Sequence, residues 1–319
     1  MSALDQKLAA ALASREDRGI RRRLPAPSLS LLPPTPGITS DRASDVSSDV
    51  SSDAPVTVTV SSPTITAPST SASASASAQP APSPSRVATP AADFSSNDYL
   101  SLSTSPLLRA RVLAALTASP AILGSGGSRL LVYNHAHAAL EARLARTFRA
   151  PAALLFNSGF DANAGFFACV PQPGDALLYD AAIHASVHDG ARASRLAPRF
   201  CRPFAHNDLR ALRVALRALR DESVALKEGG SSVFVAVESV YSMDGTVAPL
   251  RTMVDAMDEI FPARNAYLVV DEAHATGIYG PGGRGMVAQL GLEDRVLARL
   301  HTFGKALAAS GGTFNLWYY

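Results

Sequence analysis

The chain has 319 residues, 47% of them hydrophobic, and a formal net charge of +2. That length admits two domains and enough apolar material for a sizeable core. Its basic residues are scattered rather than striped, which argues against nucleic acid as a partner, and no apolar run approaches the roughly 20 residues of a membrane span.

Two cysteines, Cys169 and Cys201, have no metal-ligand spacing and read as reduced core thiols. Residues 4–24 (LDQKLAAALASREDRGIRRRL) have helical spacing with Leu4, Leu8 and Leu12 on one face, so residues 1–26 read as an N-terminal helical piece with a basic end. The apolar stretch of a signal peptide is lacking, and Asp5, Glu16 and Asp17 argue against a mitochondrial presequence. The cytoplasm is the expected compartment, with peroxisome and mitochondrion left open. From residue 27 to 92 the composition shifts to Ser, Ala, Pro and Thr. Such a segment cannot bury enough surface to offset its ordering entropy, so a disordered insertion is expected. Loop closure grows costly only slowly with length, so the fold tolerates it.

Order returns at Asp93-Phe94-Ser95-Ser96-Asn97-Asp98-Tyr99-Leu100, a turn and helix-cap pattern ahead of a helix over 106–117. Gly124-Ser125-Gly126-Gly127-Ser128-Arg129 permits close backbone approach. It is not a dinucleotide fingerprint, because Arg129 stands where the third Gly would be needed. A helix over 136–149 follows. His135 and His137 have no third ligand near and read as surface residues, so no metal is expected. A short buried strand over 153–156 leads into Asn157-Ser158-Gly159-Phe160-Asp161-Ala162-Asn163. This is a strand-to-helix turn whose amides suit an anion, although a tight turn without a ligand has the same signature.

A strand over 176–179 leads to Asp180-Ala181-Ala182-Ile183-His184-Ala185-Ser186-Val187-His188. Beyond Phe204-Ala205-His206-Asn207-Asp208 come a helix over 208–220 and a buried strand over 233–237. The strand ends in Glu238-Ser239-Val240-Tyr241-Ser242-Met243-Asp244-Gly245, where Asp-Gly marks a turn, and a helix spans 250–260.

Two stretches carry most of the chemistry. The strand over 267–270 delivers Asp271-Glu272-Ala273-His274. Alone, that string is the acidic motif of helicase-type ATPases, but the GxxxxGK[ST] phosphate loop such enzymes need is absent from the sequence. Another apolar run reads as a strand and leads into His301-Thr302-Phe303-Gly304-Lys305-Ala306-Leu307. A lone lysine is normally a solvated surface charge. Lys305 instead sits among small residues that leave room for a planar ligand, in an apolar setting. Both suit a lysine that forms a Schiff base. Thr302, three residues earlier, is within reach of a ligand phosphate.

Together, NSGFDAN, IHASVHDG, VFVAVESVYSMDG, VVDEAHATG and HTFGKALA resemble the class II pyridoxal phosphate (PLP)-dependent aminotransferase-like family. Within it they are most similar to the α-oxoamine synthase branch, which condenses an amino acid with an acyl-CoA. The likeness covers roughly residues 93–312. It implies an α/β fold over 93–319: the large domain of PLP-dependent fold type I, with a mostly parallel sheet and helices on both faces.

The resemblance also implies roles. Ser158, Gly159 and Phe160 hold the PLP phosphate, with Thr302, and Asn163 supports that turn. Asp271 meets the pyridine nitrogen, His274 the ring oxygen, and His184 covers the ring. Ser242 contacts the cofactor region, and Lys305 is the attachment point and later the base. Arg21 is implied to reach the acyl-CoA and Asn97 the amino-acid carboxylate. L-alanine and a pimeloyl thioester are the favoured pair. A homodimer is implied, with the Gly124 loop at the subunit boundary. Family members continue past Gly312 with another strand of the main sheet and a small C-terminal α/β domain carrying a substrate-binding arginine. The sequence given ends at Tyr319. The expectation is therefore a missing C-terminal domain, an exposed sheet region, a half-built substrate pocket, weak PLP binding and little turnover. Another α-oxoamine synthase, an aminotransferase of the same fold and a non-catalytic partner subunit are the alternatives; the retained Lys305 argues against the last.

Overall fold

In the computed structural model, the residues described are 3–19, 21, 93–120, 122–124, 126–131 and 134–317. The insertion expected over 27–92 lies outside them. The helices are α1 (Ala3–Asp17), α2 (Pro106–Ala118), α3 (His135–Thr147), α4 (Gly159–Cys169), α5 (Ala185–Ala193), α6 (Leu209–Glu222), α7 (Val224–Lys227), α8 (Leu250–Ile260) and α9 (Met286–Leu290). The strands are β1 (Ala152–Phe156), β2 (Ala176–Asp180), β3 (Cys201–Phe204), β4 (Val233–Glu238), β5 (Ala266–Asp271), β6 (Ala298–Thr302) and β7 (Gly312–Leu316).

The strands form one sheet in the order β1-β7-β6-β5-β4-β2-β3. All run parallel except β7, which is antiparallel to both β1 and β6. The central strands are buried on both faces, and their apolar residues divide by parity. On β4, Val233, Val235 and Val237 join one core cluster while Phe234 and Ala236 join the other. This two-sided burial is why β4 and β5 read as unbroken apolar runs.

One face is covered by α6 and α8. On α6, Leu212, Leu216 and Leu219 recur at helical spacing and are completely buried, while Arg210, Arg213 and Arg217 are not. Burying each such leucine stabilises the fold by about 1.5–3 kcal/mol. Asp208 starts this helix by accepting from the amides of Arg210 and Ala211 at 2.8 and 3.0 Å. On α8, Leu250, Met253, Val254, Met257 and Ile260 make the matching stripe. The other face is covered by α4 and α5, with Phe166, Phe167 and Val187 in its core. These two helices approach closely at Gly190, where a Cβ would lie 2.8 Å from the Ala164 carbonyl oxygen. Leu4 of α1 joins this side, and Lys7 pairs with the buried Asp175.

Five sequence expectations need correction. Cys169, read as a core thiol, is exposed, and the strand read as buried over 153–156 leaves Leu154 exposed. The helix read over 4–24 ends at Asp17, because Gly19 adopts φ +66°, a conformation that ends a helix. Leu12, placed on the apolar face, is 41% exposed. The main sheet also does not lack the strand expected beyond Gly312. Residues 312–316 are that strand, inserted between β1 and β6, with Phe314 only 2% exposed. Its polar Thr313 and Asn315 interrupt the apolar pattern that marks the other strands. The edge strand β3 also escaped the reading, because Pro203 cannot donate to a ladder and is tolerated only at such an edge.

Candidate active site

The C-terminal ends of the parallel strands converge on a cavity of about 350 Å³, the place where open α/β sheets carry their ligands. Its floor is Asp271, the last residue of β5, only 7% exposed. Asp271 Oδ1 accepts from the Ala273 amide and Oδ2 from Asn163 Nδ2, each at 2.8 Å. Asn163 is buried in α4 and also donates to Ser186 Oγ at 3.0 Å. Ser186 in turn meets His184 Nδ1 through its hydroxyl at 2.8 Å and its amide at 3.2 Å. A chain of hydrogen bonds, buried as far as Ser186, thus links the floor carboxylate to the imidazole on the wall, and His184 Nδ1 is an acceptor in it. Asn163, expected to support the turn, lies in this chain instead. The turn is held by Ser158 Oγ, which accepts from the Asp161 amide at 3.0 Å.

Glu238 ends β4 and stands in register with Asp271 on β5. Burial, and then the neighbouring Asp271 carboxylate, push Glu238 up to about 8. One of two adjacent acids thereby keeps its proton at neutral pH. His274 moves the other way. Burial, then Lys305 and His184, lower it to about 4, so its imidazole is neutral. Its Nδ1 meets Tyr99 Oη at 2.7 Å, and Tyr99 Oη lies 3.1 Å from Asn97 Oδ1. Glu272, beside these residues in sequence, points elsewhere. Its carboxylate accepts from Ser239 Oγ at 2.7 Å and from the Met286 and Val287 amides at 2.9 and 2.7 Å, which caps α9.

Thr302, at the end of β6, and Lys305, in the turn after it, form the side facing α4. The amides of Gly159 and Phe160 precede the first intrahelical bond, Ala162 to Ser158. Such amides and the helix dipole favour an anion. A Cβ on Gly159 would lie 3.1 Å from Thr302, so a larger residue there must push the threonine side chain back by a few tenths of an ångström. Phe160 meets the His184 ring edge-on, with centroids 6.0 Å apart.

The cavity therefore brings together Asn97, Ser158, Gly159, Phe160, His184, Asp271, His274, Thr302 and Lys305. It does not bring in Ser242, which is exposed in the turn after β4, or Arg21, which pairs with Glu16 near the end of α1. Sequence reading missed Tyr99 and Ser186, whose hydroxyls gain meaning only from their partners across the fold. The donor set fits PLP: an amine, a floor acid, an imidazole on the wall and a helix start for phosphate. Fold and pocket together define the large domain of a fold type I PLP-dependent enzyme.

The comparisons with known proteins agree. A profile described as aminotransferase class I and II matches residues 89–315. Over 224 residues the chain is 53% identical to an 8-amino-7-oxononanoate synthase of Emericella nidulans, covering 69% of this chain and 54% of that one. It is 46% identical to the aminoacyl transferase sphA of Aspergillus fumigatus, covering 69% and 47%. A serine palmitoyltransferase from S. paucimobilis, solved with a bound PLP–myriocin adduct, superposes with a TM-score of 0.60 at 29% identity, covering 70% of this chain and 54% of that one. The chain belongs to the aminotransferase class I and II family. It spans about half the length of the curated relatives it matches. No helix among the described residues is long and apolar enough to cross a membrane.

Proposed function

We propose that this chain is the cofactor-binding part of a PLP-dependent acyltransferase that condenses an amino acid with an acyl-CoA thioester, releasing CoA and CO2. The observation that carries the reading is the meeting of Lys305, Asp271, His274 and His184 in one cavity beside the start of α4. When bound, PLP supplies an electron sink for charge at the substrate α-carbon. Lys305 supplies the amine for its covalent attachment and the base for the α-proton. Asp271, whose carboxylate Asn163 holds in place, would pair with the ring nitrogen. His274 would bond the ring oxygen, and His184 would cover the ring. Ser158, Gly159, Phe160 and Thr302 would hold the phosphate, and Asn97 would orient the substrate carboxylate.

L-alanine and a pimeloyl thioester, giving 8-amino-7-oxononanoate for biotin biosynthesis, are the favoured substrates. The 53% identical relative of that name supports this pair. The relatives named sphA and serine palmitoyltransferase support a second reading, with another amino acid or acyl chain. A homodimer in the cytoplasm is the proposed assembly. The exposed apolar side chains Leu107, Val112, Leu113, Leu116 and Leu123 on and after α2 support it, since monomers seldom leave such a patch open.

The test uses the full-length gene product. Borohydride reduction with PLP should place the label on Lys305. Alanine, serine and glycine are then offered with short and long acyl-CoAs, and CoA and CO2 are measured. Label on another residue, or keto-acid exchange without CoA release, refutes the proposal.

A further inference from the structure

Asn97 and His274 line the cavity, and Tyr99 bridges them, a polar file that the roles above do not fully absorb. Tyr99 Oη is 2.7 Å from His274 Nδ1 and 3.1 Å from Asn97 Oδ1. A hydroxyl has one proton to give, so the two contacts cannot both be donations from Tyr99. Bonds donated by O–H centre near 2.7–2.8 Å, and bonds donated by N–H span 2.7–3.2 Å. The shorter contact fits the tyrosine O–H donating to Nδ1, and the longer one an N–H of Asn97. With the Asn97 amide as placed, its oxygen faces Tyr99 and would take the tyrosine proton instead. A half-turn of that amide exchanges its oxygen and nitrogen ends and frees the proton for His274.

We infer that Tyr99 is a positioning residue. It donates to Nδ1 of His274, fixes that imidazole in the Nε2–H tautomer, and so makes it a hydrogen-bond donor toward the cavity. A neutral imidazole has one donor and one acceptor nitrogen, and the partner of one sets the role of the other. The low proton affinity of His274, which burial and Lys305 impose, keeps the ring neutral and the choice of tautomer meaningful. The opposite tautomer would present a lone pair to the cavity and repel an oxygen acceptor there. That the acceptor is the ring oxygen of PLP rests on the proposed function; the tautomer itself does not. The file also ties His274 to Asn97, the residue proposed to meet the substrate carboxylate.

The decisive measurement is made on the 1–319 chain without cofactor. Histidine is labelled with 15N, and the His274 signals are assigned by their loss in His274→Gln. The expected spectrum shows His274 protonated at Nε2 with Nδ1 as acceptor. Tyr99→Phe should give a mixture of tautomers, and the PLP dissociation constant, followed by fluorescence, should rise roughly 2- to 10-fold, the worth of one hydrogen bond. An Nδ1-protonated His274 in the unsubstituted chain overturns the inference, as does a Tyr99→Phe spectrum with His274 unchanged. If Tyr99→Phe fails to fold, the tautomer of the unsubstituted chain decides alone. Failure of borohydride to label Lys305 would sink the PLP reading while leaving the tautomer result standing, so the two failures are distinguishable.

Discussion

Replacing Glu238 with glutamine should remove a specific pH dependence of stability. Glu238 is 4% exposed, and burial beside Asp271 raises its carboxyl from an ordinary value of 4.5 to about 8. Between those values the folded chain holds a proton that the unfolded chain has lost. The stability associated with the protonated form is present below the ordinary value and is lost as pH rises through about 8. At about 1.36 kcal/mol per pH unit the whole window is worth roughly 5 kcal/mol as an upper bound, and the span from about pH 5.5 to 7.5 roughly 2.5 kcal/mol. His274 opposes this. Its folded value of about 4 lies below the ordinary 6.5, so stability falls as pH drops through that window. Over the same span it adds at most about 1.4 kcal/mol as pH rises, and less because solvent screens a half-buried ring. The two partly cancel in the unsubstituted chain, which is why the comparison must be with a variant. The assay is urea unfolding of both proteins without PLP, because a bound ligand would contribute its own stabilisation. Glu238→Gln should gain about 2–3 kcal/mol over the unsubstituted chain between about pH 5.5 and 7.5. Parallel curves would show that Glu238 is ionised in the folded chain, and the argument from burial would be refuted.

Asn163→Ala should cost about 1–3 kcal/mol in urea, because it leaves Asp271 and Ser186 each short of a buried donor. PLP affinity measured by fluorescence should fall with it; unchanged values of both would remove Asn163 from the site. Gly190→Ala should destabilise by about 1–3 kcal/mol, even though alanine favours helices, because its Cβ meets the backbone of α4 at 2.8 Å. A higher melting temperature for that variant would show that the two helices part easily.

How much was legible in the sequence depended on range. The buried strands β4 and β5 and the amphipathic helices α6 and α8 announced themselves, because their periodicity lies within a few neighbouring residues. The observed bounds of α8 are those of the sequence reading. The short strings around Ser158, His184, Asp271 and Lys305 were equally local, since each is a turn at the end of a strand. Other features depend on residues far apart in the chain. Gly312–Leu316 becomes a strand only because β1 and β6 leave it a slot. Asn163, 108 positions from Asp271, becomes its hydrogen-bond donor only once α4 packs against the sheet. Tyr99 meets His274 across 175 positions, and Ser242 is turned outward although its neighbours in sequence lead into the site. Composition, helix and strand type and the chemistry of the site were thus written locally. The choice of partner, the burial that moves Glu238 and His274 in opposite directions, and the residues that fall outside the cavity were decided by packing, because hydrogen-bond geometry and desolvation exist only in three dimensions.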